Sequence, residues 1–152
     1  MNLEEVTKKT HRLAAAIGYS VFGALILYFV LEELIRHKLA PFYGFSHVSN
    51  HQTLRYIFYG LAAVSIILAR LLQSLLLRKK PGDRPETLLN KLHRTSIIMV
   101  IMSELPALLG LFLFLLAGLN RDFYVLLIIS VAVLFIFFPR RRAWEEWLAS
   151  HI

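Results

Sequence analysis

The apolar residues of this chain fall into four long blocks that are separated by short polar and charged segments. A helix rises about 1.5 Å per residue and the hydrocarbon core of a bilayer is about 30 Å thick, so blocks of roughly twenty residues are typical of membrane-spanning helices. The pattern predicts an all-α membrane protein with four transmembrane helices, at about residues 13–35, 56–77, 96–119 and 123–139. We interpret residues 1–152 as one integral membrane domain that folds as two antiparallel helical hairpins.

The composition agrees with a membrane protein and narrows the choice of partners. Hydrophobic residues make up 57% of the chain, and the mean hydropathy is +0.60. Lysine and arginine number 17 against 10 acidic residues, but they flank the apolar blocks and form no basic face that would bind nucleic acid. We therefore expect membrane lipid and other membrane proteins as partners, and no nucleic acid.

The basic residues are distributed unequally between the two sides of the predicted bundle. Three precede helix 1, six lie in the link between helices 2 and 3, and three follow helix 4, which makes twelve on one side against four on the other. Because cytoplasmic segments carry the excess of Lys and Arg, both termini are expected in the cytoplasm. The prediction places the link at Asp83 inside, the link at Ser46 outside, and the protein in the cell inner (plasma) membrane.

Amphipathic stretches outside the four blocks predict short helices at the membrane surface. One is the charged head before helix 1, and another is residues 85–94 in the middle link, with its leucines against the membrane. A further one is the tail after helix 4, where Trp144 and Trp147 are typical of the aromatic belt at a membrane interface.

Small residues predict where helices approach one another closely. In helix 1 they recur at helical spacing on one face, as Ala16, Ser20, Gly23 and Ala24. A contact between helices is the expected role of this face, and a ligand groove is the alternative. In helix 3, Pro106 and Gly110 are the corresponding packing positions.

One ionisable residue, Glu104, lies inside the apolar block of helix 3. It follows Ser96 by eight residues, which places it about 12 Å into the segment. A charged side chain at this depth costs about 2.5–3.5 kcal/mol, so we expect Glu104 to be neutral, paired, or facing a polar cavity. Pro106 has no N–H and leaves the carbonyl of Met102 without its helical partner, close to this side chain.

The position of Arg70 predicts a partner for Glu104. Arg70 lies eight residues before Arg78, and Glu104 lies ten residues after Arg94, so their depths match if both helices end at these charges. A charge-assisted bond between them, completed by Gln73, would then fix the register of helices 2 and 3. The alternatives are a proton or ion site at Glu104, and a neutral Glu104 hydrogen-bonded to a neighbour such as the freed carbonyl.

The sequence around Glu104 resembles a known family. The run Glu104-Leu-Pro-Ala-Leu-Leu-Gly110 within residues 97–118, which follows a basic link, is similar to the carboxylate-bearing helix of the proteolipid subunit c of rotary ATP synthases and ATPases. The resemblance implies that Glu104 corresponds to the proton- or sodium-carrying glutamate of that family. Assembly with other membrane subunits or with copies of the chain is expected separately, from the small and phenylalanine-rich apolar surface of helices 1 and 4.

Other chemistry is poorly represented. The chain has no cysteine, which excludes disulfides and thiolate chemistry, and no histidine pair inside a predicted span to hold a haem. The serines in the spans have no histidine beside them to act as a base, so we predict no enzyme and no cofactor. His47 and His51 have the spacing of a helical metal pair but lie in a predicted loop, so a metal site is not expected there.

These observations predict a small integral membrane protein that acts as a structural or accessory subunit of a larger membrane complex or of a homo-oligomer. One alternative is a proteolipid-like subunit that translocates protons or sodium through Glu104. Another is a small transporter, although a chain of 152 residues encloses little volume by itself.

Overall fold

The computed structural model describes residues 3–46, 50–78, 85–140, 144 and 146. Within these residues the chain forms five α-helices: α1 (Leu3–Lys38), α2 (His51–Leu76), α3 (Pro85–Met102), α4 (Leu105–Ala117) and α5 (Asn120–Phe137). Predictions that concern His47, Asp83 and Trp147 fall outside the described residues.

Four helical segments of the described chain are long and apolar enough to cross a membrane: Lys8–Lys38, His51–Leu76, Thr87–Ala117 and Asn120–Phe137. The third of these joins α3 and α4, so the predicted helix 3 is one span that is broken in the middle. By the length and composition of its helices, the chain is an all-helical multi-pass membrane protein.

Local signals explain why the helices begin and end where they do. The side chain of Asn50 caps α2 by accepting a bond of 3.1 Å from the Thr53 N–H, which starts this helix earlier than its apolar block. Pro85 is the first residue of α3, where its missing N–H costs nothing. Gly118 ends α4 in the left-handed conformation, with φ of +68°, and its N–H donates to the Phe114 carbonyl at 2.7 Å.

Two of the predicted surface helices are parts of longer ones. The charged head continues without a break into α1, and residues 85–94 are the first turns of α3. Leu89 and Leu92 do not face the membrane surface, because they are buried against Ala14 of α1 and Trp144. These leucines bury more apolar surface inside the bundle than at its edge, which favours the continuous helix.

The helices pack around the pair α4 and α5. These two run antiparallel from the turn at Gly118 and make the most extensive contact in the fold, with Gly110 directly against Phe123 and Leu126. Helices α1 and α2 each pack on α3, α4 and α5 but hardly touch each other. Helices α4 and α5 are therefore closely packed, whereas α1 and α2 lie apart.

The bundle has two distinguishable ends. At the first, which we call the loop end, the segment after α1 covers the end of α4: the Phe45 N–H donates to the Leu115 carbonyl at 2.8 Å. At the second, the terminal end, His11 of α1 lies 2.9 Å from the Pro139 carbonyl and packs edge-on against Trp144. The first and last parts of the described chain thus meet at one end.

The inward face of α1 differs from the small-residue face that the sequence singles out. Buried or half-buried positions recur at helical spacing and include Ala14, Val21, Leu25, Tyr28 and Glu32. The small residues lie elsewhere: Ala16, Ser20 and Gly23 are exposed and Ala24 is half-buried. Polar groups in a membrane need partners inside the bundle, so Tyr28 and Glu32 turn α1 with the small residues outward.

Candidate functional site

The break between α3 and α4 places a polar region near the middle of the membrane-spanning segment. Pro106 cannot donate a helical hydrogen bond, and Ser103 and Glu104 form a turn between the two helices. The next amide, Ala107 N–H, would normally donate to the Ser103 carbonyl, four residues earlier. It donates instead to Ser130 Oγ of α5 at 3.1 Å, and the Ser130 hydroxyl donates to the Ser103 carbonyl.

The Ser130 hydroxyl is thus inserted into the backbone ladder at the break. Both serines and Pro106 are fully buried, so this hydroxyl satisfies two backbone groups that water cannot reach. The interruption opens the helix at one turn and directs the neighbouring Glu104 side chain towards α1.

Glu104 is hydrogen-bonded to Tyr28. The Tyr28 hydroxyl of α1 donates to Glu104 Oε1, and the Glu104 residue is half-buried. Among the described residues, no basic side chain lies within ion-pairing distance of this carboxyl group. A phenol hydroxyl and a carboxyl group both exchange a proton, whereas neither brings a permanent positive charge.

The expected bond between Arg70 and Glu104 is replaced by other contacts. The guanidinium carbon of Arg70 lies 5.2 Å from the centre of the Phe137 ring, in cation–π geometry, and Arg70 is exposed. Ser130 marks the level of the helix break on α5, and Phe137 is seven residues further along, which is about 10 Å. Arg70 therefore lies nearer the terminal end than Glu104 does.

The predicted equal depth of Arg70 and Glu104 is wrong, because α3 begins at Pro85, well before Arg94, and Glu104 is therefore farther from the terminal end. Gln73 is one turn closer to the terminal end than Arg70. It lines a cavity of about 490 Å³ together with Thr95, Ser96 and Arg140, away from Glu104.

A second polar cluster lies one turn beyond Tyr28 on the same face of α1, towards the loop end. Tyr124 Oη of α5 lies 2.8 Å from Glu32 Oε2 and 2.7 Å from Glu33 Oε1. Arg36 binds both oxygens of Glu33, at 2.8 and 2.7 Å. Glu32 is completely buried, and its Oε1 has no hydrogen-bond partner in the described part of the chain.

A third cluster joins α2 to the start of α5. Asp122 is 4% exposed. One of its carboxylate oxygens accepts a hydrogen bond of 2.8 Å from Arg55, and the other accepts one of 3.0 Å from Tyr59. Each carboxylate oxygen has its own donor, and the charge is balanced by Arg55. This arrangement is an ion pair between a buried carboxylate and an exposed guanidinium, and it holds α2 to α5.

The structure brings no metal site together from the described residues. His51 is exposed at the first residue of α2, and no group of three potential ligands forms where the chain is described. Its predicted partner His47 lies outside the described residues.

Sequence reasoning identified Glu104 but missed the residues that contact it and stabilise its turn. Tyr28 and Glu32 are four residues apart, a spacing that places both on one helical face and was available as a signal. Nothing in the local sequence distinguishes Ser130 from the other serines of the spans, because its role depends on the register between α4 and α5.

None of three comparisons, with protein families, with curated proteins and with solved structures, finds a match to this chain.

Proposed function

We propose that this chain is a proton-carrying subunit of a membrane assembly and that Glu104 is the group that takes up and releases the proton. The observation that carries the proposal is the hydrogen bond from Tyr28 to Glu104 at the helix break, with no basic side chain of the described residues beside the carboxyl group. Glu104 is thus an acid in a membrane-spanning segment, and no described residue provides a counter-charge.

The cost of a charge in the membrane argues that Glu104 is neutral at rest. An ionised carboxylate near the bilayer centre costs about 2.5–3.5 kcal/mol, and one hydrogen bond to the charged group offsets about 1.5–3 kcal/mol, which leaves a smaller net cost. A neutral acid avoids that cost and still bonds to Tyr28. The same balance lets a nearby charge or a change of hydration ionise the group, which is what a carrier requires.

The resemblance to the proteolipid subunit c implies the same role for Glu104. In that family the proton-carrying glutamate lies in an apolar membrane-spanning helix, and Glu104 is half-buried within a segment of this kind. We keep sodium as a variant of this proposal, since a carboxylate is also a ligand for sodium.

The proposal includes an orientation. Twelve basic residues belong to the terminal end and its flanking segments, against four at the loop end, so the terminal end is expected in the cytoplasm of an inner (plasma) membrane. In this orientation, Glu104 exchanges protons with the outer side along the face of α1 that carries Tyr28 and Glu32.

A second candidate function is that of a structural subunit without ion chemistry. It is favoured by the outward small-residue face of α1, where Gly23 has open space around it. Such a face lets another membrane helix approach closely. A stand-alone transporter, the remaining alternative, gains no comparable support. The mass of the species extracted in mild detergent distinguishes a subunit from a stand-alone transporter. A subunit is recovered with partners or copies, and a stand-alone transporter is recovered as a monomer.

The carrier proposal is tested by labelling with a hydrophobic carbodiimide, a reagent that modifies neutral carboxyl groups in membranes. Near neutral pH we expect Glu104 of the parent chain, in its native membrane, to be labelled and the ion-paired Asp122 to resist. Peptide mass spectrometry identifies the modified residue.

Substitution of Arg70 provides the contrasting case. Because Arg70 lies beside Phe137, Arg70→Leu is expected to leave the labelling of Glu104 unchanged within about a factor of two. If Glu104 resists labelling in the parent and becomes reactive in Arg70→Leu, the result would support an ion pair between Arg70 and Glu104 and would refute the carrier proposal. Labelling that is prevented by sodium would identify sodium as the ion.

A further inference from the structure

The cluster of Glu32, Glu33, Tyr124 and Arg36 holds more acceptors than its hydrogens can satisfy. Tyr124 Oη lies at full hydrogen-bonding distance from both carboxyl groups, 2.8 Å from Glu32 and 2.7 Å from Glu33. A tyrosine hydroxyl has one hydrogen and can donate to one of these oxygens. The other bond requires a hydrogen on the carboxyl group, which then donates to the tyrosine oxygen.

The surroundings decide which carboxyl group carries that hydrogen. Glu33 is bound by Arg36 through both of its oxygens and is therefore the ionised member. Glu32 is completely buried, and its Oε1 lies 3.9 Å from the Arg36 Nε without a hydrogen bond. An ionised Glu32 would be a buried charge with no hydrogen bond on Oε1, at the edge of ion-pairing distance from an Arg36 that already binds Glu33, and this costs more than an unbonded carbonyl oxygen of a neutral acid.

We propose that Glu32, Tyr124 and Glu33 form a proton-binding site in which Glu32 is a neutral acid that donates to Tyr124, and Tyr124 donates to the Glu33 carboxylate. The charged or titratable groups that face Glu32 are Tyr124 from α5 and Glu33 and Arg36 from α1. With one proton bound, the cluster is electrically neutral, because the single carboxylate is matched by Arg36.

The cluster around Asp122 is a control within the same molecule. It also combines a buried carboxyl group, a tyrosine and an arginine at the loop end. There the numbers match: two oxygens receive one hydrogen each from Arg55 and Tyr59, and no additional proton is needed. The additional carboxyl group is what distinguishes the site at Glu32.

The location gives the site a use. Glu32 follows Tyr28 by one helical turn, about 6 Å, on the face of α1 that leads to Glu104. The site is placed to exchange protons between the loop end of the bundle and the Tyr28–Glu104 pair. This use rests on the proposed function, whereas the bound proton at Glu32 does not.

Infrared spectroscopy of the purified chain tests the site, because a neutral carboxyl group has a C=O stretching band that a carboxylate lacks. The experiment uses chain labelled with ¹³C at the glutamate carboxyl carbons, which separates glutamate from aspartate bands. Glu104→Gln serves as the background, so that any band from Glu104 is removed beforehand. We expect a neutral glutamate band to remain near neutral pH in this variant.

Further substitutions assign that band. Glu32→Gln is expected to abolish it, and Asp122→Asn to leave it unchanged. Glu33→Gln is also expected to abolish it, because Arg36 is then free to pair with Glu32 and ionise it.

A Glu104→Gln chain with no neutral glutamate band would overturn the proposal even if no other variant folded. A band that survives Glu32→Gln would equally refute the assignment to Glu32. If the parent and Glu104→Gln show the same neutral glutamate band, Glu104 contributes no neutral carboxyl group. The carrier proposal then fails, and the site at Glu32 stands.

Discussion

Ser130 illustrates how a single hydroxyl group can make a broken helix tolerable in a membrane. It replaces the missing backbone bond between Ala107 and Ser103 with two of its own. Removing it leaves a buried N–H and a buried carbonyl unsatisfied unless the break closes. We expect Ser130→Ala to lower the free energy of unfolding by about 1–2 kcal/mol.

The matched control is Ser20→Ala. Ser20 is exposed, and among the described residues its hydroxyl bonds only to the Ala16 carbonyl of its own helix, so its loss is expected to change stability by less than about 0.5 kcal/mol. Denaturation of both variants in mixed micelles measures the difference. Equal stabilities for the two would contradict the inserted hydroxyl.

At the scale of elements, the contact between α4 and α5 depends on Gly110. A Cβ placed there would lie 2.9 Å from the Leu126 Cβ and 3.3 Å from the Phe123 backbone, neither of which can rotate away. We expect Gly110→Ala to destabilise the fold by about 1–3 kcal/mol through overpacking. Gly23→Ala in α1 meets no atom within 4 Å and is expected to be neutral or slightly stabilising.

The same unfolding measurement applies to this glycine pair. A Gly110→Ala variant as stable as Gly23→Ala would contradict the close approach of α4 and α5 at this position. A loss in Gly23→Ala alone would instead indicate that a second chain packs on the outward face of α1.

The helices also show which parts of the fold could be predicted from the sequence. The four spans follow from apolar blocks, because a bilayer demands about twenty apolar residues from each crossing. The break in the third span agrees with the position of Pro106, but the predicted start of helix 3 at residue 96 is eleven residues later than the observed start of α3 at Pro85, because the first turns of α3 are charged. The partners of Glu104 depend on the rotation of α1 and on the register of α5, which neither periodicity nor charge counting determines.

At the scale of the whole molecule, we expect one defined orientation in the membrane. Ser46 belongs to the loop end and Arg78 follows α2 at the terminal end, and both are exposed. In intact cells, Ser46→Cys is expected to react with an impermeant thiol reagent and Arg78→Cys to react only after the membrane is opened. The chain has no cysteine of its own, so any labelling reports the introduced one. The reverse pattern would invert the predicted topology.

The central claim, that Glu104 carries protons, is tested most directly by proton flux. The species extracted in mild detergent is reconstituted into vesicles that enclose a pH-sensitive dye. A potassium diffusion potential that is negative inside is then imposed, and the internal pH is followed. We predict acidification that is faster than in protein-free vesicles, lost in Glu104→Gln and after carbodiimide treatment, and retained in Asp122→Asn. Acidification that is equally fast in the parent and in Glu104→Gln would contradict the account.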